Sequence, residues 1–501
     1  MSVHVGWLLR QNAARRAEVK AITSLRADAT YGQLDERASR IAGRLASVGV
    51  APGDRVLLCA SNDVAFVAAY FGVLYAGAAV VPVPVVSAPA EVAFRARHAN
   101  ARVALVDRER RVLLPDEVLA LDVHDTSHDA PALEPRDAPE DLAMVLYTSG
   151  TTGVPKGAAI THASLVAHTS ALVHHVLALE GDDVVLGALP LTHSFGIRMT
   201  VLAPFFAGAR TVLVDRFDAS LTLTLAEREG VSWLPGVPTM FDAWANTKGA
   251  PLAWLRWCLS AGAPLPAETR RRAEKRLGAE IREGYGLTEA TFTTIDAPPA
   301  ARTPGSVGTP VWGVEVKLAK AHESDELGEI LVRGQNVMRG YLDDPSATAE
   351  AFEDGWLRTG DLGRVDSGGR LFVVDRLKDL ILRGGHNVYP SEVEHALVEH
   401  PAIREAAVIG RPDAHLGEEV VAVITLREGA HLELAELDAF CRDRLAKTKV
   451  PREVAIVDAL PLGPSRKILR RTLRDALLAG ELSPRPVPRA ADASRADVER
   501  R

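Results

Sequence analysis

Cysteine is scarce in this chain, with three in 501 residues. Cys59, Cys258 and Cys441 stand far apart and form no CxxC pair and no metal-ligand spacing. That excludes a disulfide framework or a zinc module and fits reduced, buried thiols. Excess positive charge is also missing. The net charge is −7, so bulk electrostatics offers nothing to nucleic acid. A long uninterrupted apolar run is absent as well. The N-terminal stretch MSVHVGWLLRQNAARRAEVK is amphipathic, and its arginines break any signal-peptide core. The most apolar segment, FVAAYFGVLYAGAAVVPVPVV, is split by its glycines and by Pro82 and Pro84 into a helix and then a strand. A membrane span needs about 20 apolar residues in sequence. The expectation is a cytoplasmic protein with no integral membrane span and no nucleic-acid partner.

What is present is ordinary globular composition, 47% hydrophobic and 25% charged, at a length that predicts roughly two to four domains. Helical and strand patterns alternate from the start. YGQLDERASRIAGRLASVGV places Leu34, Ala38, Ile41 and Leu45 on one helical face, and GDRVLLCA follows as a short strand. Such alternation predicts an α/β fold, with βαβ units and mostly parallel sheets in a large N-terminal domain. Near residue 300 the texture becomes β-rich, and SGGRLFVVDRLKD reads as a hairpin turning at Gly368-Gly369. After Asp375-Arg376 the pattern resets to a small α+β domain. The expected organisation is a domain over 1–375, a second over 376–482, and a disordered tail over 483–501, which is rich in proline, alanine and charge.

The stretch YTSGTTGVPKG (147–157) concentrates glycines and hydroxyls before a lysine, a composition that suits backbone cradling of an anion. It fails the nucleotide-hydrolase template G-x-x-x-x-G-K-[ST], because Pro155 precedes Lys156 and Gly157 follows it. It is read as a different phosphate clamp.

This run resembles the phosphate loop of the adenylate-forming superfamily: acyl-CoA synthetases, aryl-CoA ligases, peptide-synthetase adenylation domains and luciferases. Four further segments resemble that superfamily's motifs in its own order: GYGLTEA (284–290), GWLRTGD (355–361), DRLKDLILRGGHNVYPSEVE (375–394) and LPLGPSRKILR (460–470). Together they cover roughly residues 5 to 475. The resemblance implies ATP- and Mg²⁺-dependent activation of a small carboxylic acid to an acyl-adenylate, followed by transfer to a thiol. The acceptor would be coenzyme A or, alternatively, the phosphopantetheine of a separate acyl or peptidyl carrier protein. A scaffold without catalysis fits poorly with the joint presence of Lys156, Glu289, Asp361 and Lys467.

Adenylation brings anions together, so cations and N–H donors must offset their repulsion. Within the resemblance, Thr148, Ser149, Gly150, Thr151, Thr152, Gly153 and Lys156 hold the outer phosphates. Gly262, Ala263 and Gly286 line the adenine site, and Tyr285 offers it a flat face. Thr288 serves the α-phosphate, and Glu289 is the hard oxygen ligand for Mg²⁺. Asp361 takes the ribose hydroxyls, with the N-cap of a helix as its rival role, and Arg376 reaches the ribose or phosphate. Lys467 acts at the adenylation transition state, carried by a mobile C-terminal domain. Ser465-Arg466-Lys467 departs from the usual Ser-Gly-Lys. Gly384 and Gly385 permit close approach of pantetheine, near a segment that holds Lys449 and has Thr448 in place of the usual tyrosine. His193 resembles a gate beside the reacting carboxylate, with a purely structural histidine as the rival reading. Ser194, Gly236 and Gly284 complete the acid pocket. Arg198, amid apolar neighbours, either pairs a second carboxylate on the substrate or points its head to solvent.

Overall fold

A capping box starts the first long helix of the chain. The Gln33 amide donates to Thr30 Oγ1 at 3.2 Å, and the Thr30 amide donates to Gln33 Oε1 at 3.0 Å. The helix Tyr31–Ser47 then buries Leu34, Ala38, Ile41 and Leu45, the face its periodicity predicts. The apolar run after it divides as expected, into the helix Val64–Tyr75, capped by Asp63, and the strand Ala79–Pro82. All twelve residues of that helix are buried, which accounts for its unbroken hydrophobicity. Among the described residues no helix is long and apolar enough to cross a membrane.

This computed structural model describes residues 3–125, 133–136, 138–148, 155–320, 322, 326–463 and 468–488. The chain folds as two compact units. One comprises Met1–Lys317, Leu331–Thr359 and Ser367–Leu371; the other comprises Leu318–Ile330, Gly360–Asp366 and Phe372–Arg501.

The first unit is built on two large sheets. In the nine-stranded sheet, the strands Glu280–Leu287, Trp257–Ala261, Trp233–Gly236, Val184–Gly187, Arg210–Leu213 and Lys20–Ser24 run parallel in that spatial order. Antiparallel strands close both edges, Thr291–Ile295 lying beside Glu280–Leu287. The seven-stranded sheet is parallel through Ala79–Pro82, Arg55–Cys59, Val103–Val106 and Leu119–Asp122. Its other side is a hairpin, Leu142–Thr148 against Lys156–Thr161, with Gly340–Tyr341 on the outer edge. In parallel sheets of this kind ligand-binding residues gather at the carboxyl ends of the strands.

The second unit centres on the long antiparallel pair Ile403–Asp413 and Gly417–Leu426. Alternate residues serve opposite faces. Ala406 and Val408 pack under the helices Pro390–Val398 and Leu434–Arg442, while Ala407 and Ile409 pack with Leu473 and Leu477 of the helix Arg470–Leu478. Burial on both faces explains the continuous run VVAVITL. Ordered chain also extends past residue 482, where a tail was expected to begin. Arg485–Pro486 pairs with Glu453–Val454 at the sheet edge, and Val487 is 8% exposed in the core. Replacing Val487 by alanine should lower unfolding stability by about 1–2 kcal/mol. The measurement is the urea midpoint of the second unit's transition, and an unchanged midpoint would mean that the strand does not pack in solution.

Candidate active site

The glycine-rich loop joins two antiparallel strands, and Thr148 stands opposite Lys156 across the ladder. It therefore does not lead from a strand into a helix as the nucleotide-hydrolase loop does. Ser149, Gly150, Thr151, Thr152 and Gly153 lie outside the described residues, as does Lys467. Lys156 sits 5.1 Å from the centroid of the Tyr341 ring. Both line a cleft of about 120 Å³, with Pro155, Gly157 and Asp344.

Tyr341 was not singled out from sequence, yet it links two residues that were. Its hydroxyl donates to Glu289 Oε1 at 3.0 Å. Burial and the neighbouring Glu289 carboxylate raise the Tyr341 pKa, so the phenol stays protonated and remains a donor. Glu289 lies in the turn between the strands Glu280–Leu287 and Thr291–Ile295, and its carbonyl accepts the Met338 amide at 2.7 Å.

Three adjacent strand ends bring most of the other residues to one level. Gly236 pairs with Ser260, Ser260 with Glu283, and Ala261 with Gly284. Gly262 and Ala263 follow directly, Gly262 with φ 93°, a left-handed conformation that favours glycine. Tyr285 is 9% exposed, and Thr288 follows in the turn. At Gly286 a Cβ would collide with the Thr291 carbonyl, so only glycine fits.

His193 caps the helix Ser194–Ile197. Its Nδ1 accepts the Phe195 amide at 3.3 Å, which places the proton of a neutral ring on Nε2. The same helix continues into a π-helical turn, Arg198–Leu202. Arg198 is 1% exposed, which overturns the solvent-facing reading.

The second unit holds another group. Asp361 lies inside the strand Trp356–Val365, so it is not a helix N-cap. Its Oδ1 is 3.0 Å from Arg376 Nε. Gly384 and Gly385, both at positive φ, turn the chain between Ile381–Arg383 and His386–Val388. Lys449 donates to both carboxylate oxygens of Glu392 at 2.7 Å. Among the described residues no cluster of three or more His, Cys, Asp or Glu could hold a metal.

Comparison with known proteins follows this geometry. Residues 9–342 match the AMP-binding enzyme family, and residues 392–467 match the AMP-binding enzyme C-terminal domain. Feruloyl-CoA synthase from an Amycolatopsis species is 39% identical over 469 residues, which cover 89% of this chain and 93% of that protein. Sulfoacetate–CoA ligase from Cupriavidus necator is 35% identical over 469 residues, covering 89% and 92%. ATP-bound MatB from Rhodopseudomonas palustris superposes with a TM-score of 0.88 at 30% identity, over 95% of this chain and 99% of that one. The o-succinylbenzoate CoA synthetase MenE from Bacillus subtilis, in complex with the acyl-adenylate intermediate OSB-AMP, gives a TM-score of 0.87 at 30% identity, covering 95% and 98%. The chain belongs to the AMP-binding enzyme family and is an acid–thiol ligase of the acyl-CoA synthetase type.

Proposed function

We propose that this ligase activates a small carboxylic acid in the first unit and passes the acyl group to coenzyme A, with Lys156, Glu289 and Tyr341 forming the phosphate end of the nucleotide site. The observation that carries this reading is the joint geometry of those three residues. One tyrosine holds a carboxylate on its hydroxyl and a lysine over its ring. A cation and a hard oxygen ligand are thereby fixed side by side, the pair needed where triphosphate charge must be offset.

The acid's carboxylate attacks the α-phosphate and pyrophosphate leaves. The thiol of coenzyme A then attacks the acyl carbon and AMP leaves. Lys156 draws charge from the departing pyrophosphate. Thr288 and the backbone at Gly286 face the nucleotide from the adjoining turn. The Nε2–H of His193 is the donor that orients the reacting carboxylate. Glu289 fits Mg²⁺ as a single protein carboxylate, the other ligands coming from phosphate oxygens and water, as is usual for that ion. When bound, Mg²⁺ supplies charge neutralisation on the phosphates. Asp361 and Arg376 are assigned to the ribose, and Gly384 and Gly385 to the approach of pantetheine. Lys467 is assigned to the first half-reaction. The relatives reported above are named as CoA ligases or synthases, which supports coenzyme A over a carrier protein.

Two outcomes are expected. Tyr341→Phe removes the donor to Glu289 and should raise the Mg²⁺ concentration needed for half-maximal pyrophosphate release by about tenfold, the equivalent of one hydrogen bond to a charged group. An unchanged Mg²⁺ titration would detach Tyr341 and Glu289 from metal binding. Lys467→Ala should slow acyl-AMP formation by about a hundredfold or more while still forming thioester from supplied acyl-AMP. Equal loss in both half-reactions would remove its assignment to the first.

A further inference from the structure

Charged side chains are rarely buried without partners, because water solvates them far better than protein does. The other buried arginines obey this. Arg44 donates to the Asp122 carbonyl, Arg270 to Glu283, Arg282 to Glu280 and Asp296, and Arg383 to Glu419. Arg198 does not. Among the described residues it is the most deeply buried of these five, and its Nε, Nη1 and Nη2 all lack a hydrogen-bond partner.

Two more polar side chains beside it each carry one unmatched atom among the described residues. Tyr70, from the helix Val64–Tyr75, has a buried hydroxyl with no partner among the described residues. His168, from the helix His162–Leu172, has its Nδ1 at 3.1 Å from Thr291 Oγ1 and its ring against the Phe292 backbone, while Nε2 is unpartnered. The guanidinium is near enough to act electrostatically on both. Burial lowers its pKa to about 10, so it remains charged at neutral pH. Burial and that charge push His168 well below its ordinary value, leaving it neutral. Three elements thus converge on a cation with polar groups around it and no anion among the described residues. Arg198 also opens a π-helical turn, a feature frequent at functional sites.

We propose that Arg198, Tyr70 and His168 bind a second anionic group, a carboxylate or sulfonate, on a short acid whose first carboxylate reacts beside His193. This rests on the assignment of His193 to the reacting end. The two positions are five steps apart along one helix, about 7.5 Å of axial rise, which suits a short spacer and not a long acyl chain. The planar guanidinium presents paired donors that match the oxygens of either anion.

The test uses the full-length protein and matched acids: succinate against butyrate, glutarate against valerate, and sulfoacetate against propionate, with ferulate as a phenolic control. The two-anion acid of at least one pair should exceed its partner in kcat/KM by roughly a hundredfold, because a site built to bind a polar group rejects analogues lacking it. In Arg198→Gln that ratio should fall to near one. Preference for the single-anion acid in all three pairs, preference for ferulate over every two-anion acid, or an unchanged ratio in the variant overturns the inference. A melting-temperature assay with the acids alone separates this inference from the proposed reaction. If a two-anion acid protects the parent but not Arg198→Gln while no acid supports pyrophosphate exchange, the reaction fails and the anion site stands. If exchange proceeds with single-anion acids and no two-anion acid protects, the anion site fails alone. The unliganded Arg198→Met variant should melt no lower than the parent, since an unpaired charge has gone. A marked drop there would reveal structural partners for the guanidinium and overturn the inference as well.

Discussion

One close backbone approach organises the turn that carries Thr288 and Glu289 in the first unit. At Gly286 the strand lies so near the returning Thr291 carbonyl that no side chain fits between them. The register slips at the same point, between Tyr285 and Gly286. Thr291 has φ 31°, an unfavourable conformation for a β-branched residue. Its hydroxyl is tied to His168, which helps to hold that backbone. The tight return sets Glu289 where Tyr341 can reach it, and it packs His168 toward Arg198. The proposed nucleotide and acid sites would thus be joined through one turn.

The electrostatics of the two ends differ in kind. Around Tyr341 a carboxylate on its hydroxyl and a lysine over its ring are opposite in charge, and the lysine and tyrosine line a cleft. Around Arg198 a single sign of charge is enclosed, with no compensating partner among the described residues. The first arrangement is stable without substrate. The second has an energetic deficit that a suitable anion would remove, so affinity and unliganded stability pull in opposite directions there.

Much of the fold was legible because its signals are local. The face Leu34–Ala38–Ile41–Leu45 follows from helical spacing, and the two-sided sheet of the second unit follows from VVAVITL. The strand Arg485–Pro486 was not legible, since proline and charge suggest a tail, yet proline is tolerated on a sheet edge. The motif residues near Gly284–Glu289 were legible as a group, because each stands close to the next in sequence. Tyr341 escaped, because its meaning depends on a ladder with Ala158, far away in the chain. Tyr70 and His168 escaped for a related reason. Each reads as an ordinary core residue until Arg198 is placed beside it, and the burial of Arg198 itself could not be decided from apolar neighbours alone.

The π-helical turn after Ile197 has an implication for how such pockets diversify. A π turn holds one residue more than an α turn, and one residue corresponds to about 100° of rotation about the helix axis. Deleting a single residue there would relax the helix to regular winding and re-aim the side chains beyond the deletion toward another wall, while the cap at His193 stayed in place. If Arg198 meets the acid as proposed, acid preference would change through the length of one helical turn, with the turn around Gly286 left untouched.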